Sequence, residues 1–336
     1  MCAKPWPRSG AARLKQWKNN WTPTPSGSLG SRFPIHLARS DHSSHEGLSV
    51  RLDPVNSPSP RVVSLLPAAT EWMGRLGSIE HMVGRSHACN TPSDISHVPC
   101  VTQVNDNGWS LDKDLLLSLN PDLVLVQNSC AVCSPTALDL PRDLNTCNLD
   151  AKRIEDVLEI PLVLGEAIGR KKNAAECVAQ LREDWWGAID HVAPYVPGPT
   201  ALVLEWTDPL FVAGHWTPQM IQSAGARPLL ITEPGERSVA FTTEEVVASN
   251  PDWIIISPCG LDAESTRKAV KNLCSGPLGV LRAVQEDRLI IVEGTRGFSR
   301  PGPGLFTLFR GLVAKFQNKP ELATPDCFGM PGWPSV

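Results

Sequence analysis

The sequence predicts an α/β protein built of two similar lobes around a shared cleft, and three observations carry that prediction. Asn-Pro-Asp followed by a buried-strand run occurs twice, at 120–126 (NPDLVLV) and 250–256 (NPDWIII). Each copy follows a short helical segment opening on Ser or Thr, SLDKDLLLSL from Ser110 and TTEEVVAS from Thr242. Each then runs into a polar loop containing cysteine, QNSCAVC or SPCG. Self-similarity of this kind marks repeated structural units. Two widely separated copies make two lobes rather than a solenoid, each offering a strand end to the space between them.

The first lobe is expected over 59–168. Arg61 to Leu66 is a short apolar run of buried-strand type. Pro67 ends it, Thr70 caps a helix reaching Leu76, and Gly77 closes that helix. His81 to Ser86 supplies a second strand, followed by the loop His87-Ala88-Cys89-Asn90. A loop at the carboxyl end of a strand is where open α/β sheets bind ligands. Leu111 to Leu119 is helical and Leu123 to Val126 is the repeated strand. Lys152 to Ile168 has a helical pattern that Pro161 should kink or break.

A connecting helix is expected within 169–196. From Lys171 to about Val192 the apolar positions Ala174, Cys177, Val178, Leu181, Trp185, Ile189 and Val192 form a helical stripe. At 1.5 Å per residue it reaches roughly 30 Å, enough to join two lobes rigidly. The second lobe, 197–319, opens on Pro197-Gly198-Pro199. Its expected strands are Ala201 to Glu205, Trp253 to Ser257 and Arg288 to Val292. Its expected helices run from Thr217-Pro218 to Ala224, from Asp262 to Leu273, and from about Gly304 to Phe316. Residues 320–336 read as an irregular tail.

Composition narrows the class. The chain has 336 residues, 42% of them hydrophobic and 20% charged, which is globular and long enough for two domains. A formal net charge of -4 argues against a nucleic-acid surface. No apolar run approaches the roughly 20 residues of a membrane-spanning helix. Ten cysteines in so long a chain favour thiols, metal ligands or reactive groups over a disulfide scaffold. Cys100, Cys147, Cys177 and Cys274 read as small buried hydrophobes. Residues 1–58 are rich in Ser, Pro and basic side chains and lack the apolar core of a secretory signal. A disordered tail is expected there, with a transit segment as the alternative, and the chain is expected in the cytoplasm or an organelle.

RVVSLLPAATE at 61–71 and SLNPDLVLVQ at 118–127 resemble elements of the class III periplasmic-binding-protein fold, the family of cobalamin- and iron-chelate-binding proteins. LEWTDPLFVAGHW, ISPCG and FSRPGP are similar to a cobalamin-binding-protein-like subgroup of it. The resemblance covers about 61–319. It implies two Rossmann-like lobes joined by one long backbone helix, with an inter-lobe ligand cleft and delivery of the ligand to an ABC permease. Without an export signal, delivery to a permease is doubtful on the sequence, and a soluble binder of a small-molecule metal chelate such as cobalamin is expected.

The site residues follow from position and chemistry. Glu205 and Asp208 flank Trp206 at a strand end and suit a cationic group, a metal or a pairing with Arg300. Trp206, Trp216 and Phe298 offer flat apolar walls for a macrocycle, or ordinary core. Arg300 sits between Ser299 and Pro301, where its planar fork suits a ligand oxygen or a bridge to an acidic residue between the lobes; the resemblance implies a ligand contact. Cys130 and Cys133 form a Cys-x-x-Cys pair that, with Cys89, Cys259 and His87, could bind zinc or an iron–sulfur cluster. A thiol-dependent enzyme is the remaining alternative. No P-loop, nucleophile elbow or His-Glu-x-x-His occurs.

Overall fold

The computed structural model describes residues 48–50, 60–105, 108–128, 138–324 and 327–328. Cys130 and Cys133 lie outside the described residues.

The first lobe contains β1 (Leu48–Val50), β2 (Val62–Ser64), α1 (Pro67–Arg75), β3 (Met82–Arg85), β4 (Thr102–Asn105), β5 (Gly108–Leu111), α2 (Lys113–Ser118), β6 (Leu123–Val126) and β7 (Thr146–Leu149). Its sheet runs β1-β7-β6-β2-β3. The last four are parallel, and β1 lies antiparallel on the β7 edge. Three residues of the expected tail therefore belong to the sheet. The chain leaves β2 for β3 on one side and returns to β6 on the other, so the order reverses at β2/β6. That crevice, outside the carboxyl ends of the strands, is the usual ligand position in such sheets.

Two starts differ from expectation. Pro67 ends the β2 run but also opens α1, where a missing N–H costs nothing. Thr70 is therefore inside the helix, buried, with its hydroxyl on Ser64 Oγ at 2.9 Å. Ser110 belongs to β5, and Asp112 caps α2 by accepting from Leu115 N–H at 2.9 Å.

Two helices leave the first lobe, α3 (Ile154–Ala167) and α4 (Lys171–Ile189). Gly169, at φ +74°, makes the turn between them. A Cβ on Gly165 would meet Ala174 Cβ at 2.5 Å, so the helices touch backbone to side chain there. Pro161 does not interrupt α3. A proline removes a single ladder bond, and Val157, Ile160 and Leu164 hold the helix in the core on both sides of it.

The second lobe contains β8 (Thr200–Thr207), β9 (Leu210–Val212), α5 (Thr217–Ser223), β10 (Arg227–Pro228), β11 (Val239–Phe241), α6 (Thr243–Ser249), β12 (Trp253–Ile256), α7 (Ala263–Cys274), α8 (Arg282–Gln285), β13 (Leu289–Ile291) and α9 (Gly304–Phe316). Its sheet runs β11-β9-β8-β12-β13, with β10 also on β8. Strands β8, β12 and β13 are parallel; β9 and β11 are antiparallel additions.

The sequence repeat is a structural repeat. Asn120 and Asn250 both end their helices in the left-handed region, at φ 43° and 39°, a conformation asparagine tolerates better than most residues. Asp122 then accepts from Arg61 N–H at 2.7 Å, just before β2. Asp252 accepts from Thr200 N–H at 2.8 Å, at the start of β8. In both lobes the motif stops a helix, starts a strand, and ties that strand to its parallel neighbour.

One apolar core runs through the molecule. It joins Val62, Leu123 and Leu125 of the first sheet, through α1, α3, α4 and α9, to Ala201, Val203 and Ile255 of the second. Trp185 of α4 stacks on Phe309 of α9 at 3.7 Å between ring centroids. The remaining face of each sheet has its own smaller core. Cys147 and Cys177 are buried as expected, whereas Cys100 is exposed and Cys274 half-buried.

Candidate ligand cleft

Two seams join the lobes beside the strand ends. At the α1 seam, Arg300 crosses from the segment after β13. Its Nη1 donates to Glu71 Oε1 at 2.8 Å and to Asn90 Oδ1 at 2.9 Å, and its Nη2 donates to Ala88 O at 3.1 Å. Trp72 Nε1 donates back to Pro301 O at 2.8 Å. A Cβ on Gly302 would meet Glu71 Oε2 at 2.5 Å and displace the carboxylate that Arg300 holds. Arg300 is 9% exposed. Burial pushes the Glu71 carboxyl above its usual range by more than Arg300 and Arg296 pull it down. Glu71 is thus a lobe-joining residue, not a first-turn helix stabiliser: it is the fifth residue of α1.

At the α3 seam, Gln219 of α5 reaches the start of α3. Its Oε1 accepts from Ile154 N–H at 2.9 Å and its Nε2 donates to Glu155 Oε1 at 2.7 Å. Beside it, His215 stands in the left-handed region at φ 54°. Its N–H donates to Glu236 O at 2.5 Å and its carbonyl accepts from Gly235 N–H at 2.8 Å, which pins the backbone on both sides. Burial lowers the His215 pKa; Arg237 and Lys152 lower it further and Asp150 opposes them. Asp150 follows β7 and is held by Asn128 N–H at 2.8 Å and Asn148 Nδ2 at 3.0 Å.

The sequence-derived candidates divide among these settings. Trp206 is half-buried, with its Nε1 donating to Asp208 O at 3.0 Å; Glu205 is half-buried and Asp208 exposed. These three share the turn between β8 and β9. Trp216 and Phe298, 7% and 3% exposed, belong to the continuous core. Arg300 is engaged by the other lobe, the second of the two roles its position allowed.

The described members of the thiol set, Cys89, Cys259 and His87, take separate settings. Cys89, 2% exposed, packs under α1 with its sulfur 3.0 Å from Thr70 Oγ1 and 3.1 Å from Ser86 Oγ. Cys259 is exposed on the other lobe, its N–H on Glu205 O at 2.9 Å. His87 turns to the β4–β5 hairpin, with Nδ1 2.8 Å from Thr102 Oγ1 and its ring edge-on to Trp109 at 4.4 Å. Among the described residues no three His, Cys, Asp or Glu side chains could hold a metal ion. Nothing among the described residues supports the zinc or iron–sulfur expectation: Cys89 is held by hydroxyl contacts and His87 by Thr102, and Cys130 and Cys133 lie outside them.

Sequence reading missed Trp72, Gln219 and Asp150, which make or face the seams. Each looks ordinary in the chain: an apolar helix position, a polar helix position and an acid before a helix.

Two α/β sheets with their strand ends against a common seam, bridged by helices and a continuous core, define the class of two-lobe binding proteins. The model of the Periplasmic binding protein family matches residues 62–294, and the chain belongs to that family. An uncharacterized ABC transporter substrate-binding lipoprotein of Bacillus subtilis, YvrC, is 25% identical over 244 residues, covering 70% of this chain and 73% of the relative. Among solved structures, a periplasmic heme-binding protein from Pseudomonas aeruginosa superposes with a TM-score of 0.65 at 23% identity, over 77% of this chain and 93% of that one. The periplasmic vitamin B12-binding protein BtuF of Vibrio cholerae superposes at 0.63 and 18% identity, over 78% and 99%. These findings overturn the cytoplasmic or organellar expectation. The family is periplasmic and the Bacillus relative is a lipoprotein, both outside the cytoplasmic membrane. That expectation rested on the lack of a signal in residues 1–58, an absence that decides nothing. Among the described residues no helix is long and apolar enough to cross a membrane.

Proposed function

We propose that the protein binds a small metal chelate, a corrinoid such as cobalamin or a related macrocycle or iron chelate, between its lobes and presents it to an ABC transporter. The observation that carries this reading is the pair of α/β sheets whose lobes are joined by polar seams. Membership of the periplasmic binding protein family supports it, as do structural neighbours described as vitamin B12-binding, heme-binding and possible iron-binding.

In this reading Trp206, Glu205 and Asp208 meet the ligand. The indole N–H of Trp206 is occupied by Asp208 O, so what it offers a macrocycle is its ring face. Trp216, Phe298 and Arg300 act from behind, as the packed wall and the tie on which the turn depends. Titration of the purified protein with cyanocobalamin, hemin and a ferric siderophore, followed by tryptophan fluorescence, is the test. At least one should quench with a Kd of about 1 μM or below, worth roughly 8 kcal/mol. Silence towards all three removes the proposal.

A further inference from the structure

Arg300 and its seam follow the last strand of the second sheet. At the other end of that strand, α7 and the first residue of β13 enclose a groove of about 380 Å³. Small-molecule sites run from roughly 300 to 1,000 Å³. The floor is apolar: Val270 is buried, and Cys274 and Leu289 are half-buried. Burial, and after it the charge of Asp287, push the Cys274 thiol above its usual range, so it stays neutral.

The α7 side of the groove is cationic, with Arg267, Lys268 and Lys271. Arg267 and Lys271 are four residues apart and Lys268 and Lys271 three, spacings at which like charges on a helix repel. The helix dipole favours a cation in the last turn, which accounts for Lys271 and not for the other two. Lys268 and Lys271 are exposed, and among the described residues neither forms an ion pair. Of the acids just before β13, Glu286 is paired with Arg288 at 3.0 Å. An anion over these lysines would relieve their repulsion, and an apolar chain attached to it would cover the floor.

We propose that this groove binds a free fatty acid, its carboxylate on Lys268 and Lys271 and its alkyl chain over Val270, Cys274 and Leu289. Charge complementarity and the apolar floor select this class together. An acidic peptide would lay backbone N–H and C=O groups on an aliphatic floor, an unfavourable burial; an alkyl chain carries none. The site is separate from the seams and does not depend on the metal-chelate reading.

The test is calorimetric titration of the full chain with octanoate, decanoate and laurate, each kept monomeric, and with dodecyltrimethylammonium. Each pair of added methylenes should tighten binding about tenfold, and the cation should not bind. The double variant Lys268→Glu, Lys271→Glu changes exposed side chains only, so it should fold. It should bind laurate at least tenfold more weakly while its affinity for hemin and cyanocobalamin stays that of the wild type. Laurate should also slow the alkylation of Cys274 by N-ethylmaleimide, followed by peptide mass spectrometry, and leave that of exposed Cys100 and Cys259 unchanged. Absence of laurate binding, equal binding by the double variant, or an unprotected Cys274 would overturn the assignment. So would tighter binding of an alternating Glu-Leu peptide, or binding to phosphatidylglycerol vesicles without binding of monomeric laurate.

Discussion

Along the α1 seam a charged fork is buried and fully engaged: Arg300 makes three hydrogen bonds to the other lobe, and Trp72 returns a fourth. Along the α3 seam a neutral, partly exposed Gln219 makes two, and the adjacent His215 leaves a ring nitrogen unsatisfied. The Arg300 fork is tied to the other lobe; the His215 ring has no such tie. Both join the same two lobes, so the difference says where the lobes are fastened and where they have room to respond. The continuous core through α3, α4 and α9 supports that division by tying the lobes together behind the cleft.

The sharpest way to break the comparison is Arg300→Met. It leaves Glu71, Asn90 and Ala88 facing a side chain that cannot donate. Removing one partner of a buried ion pair typically costs about 3–5 kcal/mol, because the remaining charge is stranded. The effect should sit toward the lower end, since Glu71 can take up a proton. Urea unfolding should show the loss as a lower midpoint; a change below about 1 kcal/mol would mean that the α1 seam fastens nothing.

A second experiment sharpens the electrostatics of that seam. Burial holds the Glu71 pKa above its usual range despite the ion pair. The folded chain therefore binds this proton more tightly than the unfolded chain. The associated stability is fully present below the unfolded pKa of about 4.3 and is lost as pH rises through the folded value. Glu71→Gln cannot titrate. The stability of the wild type relative to this variant should fall as pH rises above about 4, then level off once the folded carboxyl has ionised. A difference independent of pH would show that Arg300 cancels burial, and one of the opposite slope that Arg300 outweighs it.

What the sequence disclosed follows the range of the interactions. The Asn-Pro-Asp repeat was readable because a helix stop, a turn and a strand start are written within a few consecutive residues. The unusual setting of Arg300 was readable too, from Pro301 and the flanking glycines. Its partner was not, because Glu71 lies 229 positions away and nothing local marks it. Trp206 and Trp216 look equally available in the chain, yet β9 and α5 carry Trp216 into the core while Trp206 stays in the turn. The β4–β5 hairpin, which captures His87 through Thr102 and Trp109, was missed because four-residue strands with mixed polarity have no clear period. Cys89 looked like a ligand for the opposite reason: its loop position was legible, whereas the groups that surround it, Ser64 O of β2, Thr70 Oγ1 of α1 and Ser86 Oγ of the same loop, are assembled only by folding.

The smallest effect belongs to the other seam. Gln219→Ala removes one acceptor from the first N–H of α3 and one donor from Glu155. Glu155 is exposed, so water replaces its bond, whereas the N–H of buried Ile154 loses its acceptor, and the expected cost is about 1 kcal/mol in urea unfolding. Binding should respond more than stability does. If the α3 seam is the side that adjusts to a ligand, loosening it should change the dissociation rate of a bound chelate several-fold while the unfolding midpoint barely moves. Stopped-flow displacement of hemin or cobinamide would measure this beside Arg300→Met. The reverse ranking, with Gln219→Ala the more destabilising variant, would mean that the fastened and the responsive seams have been assigned the wrong way round.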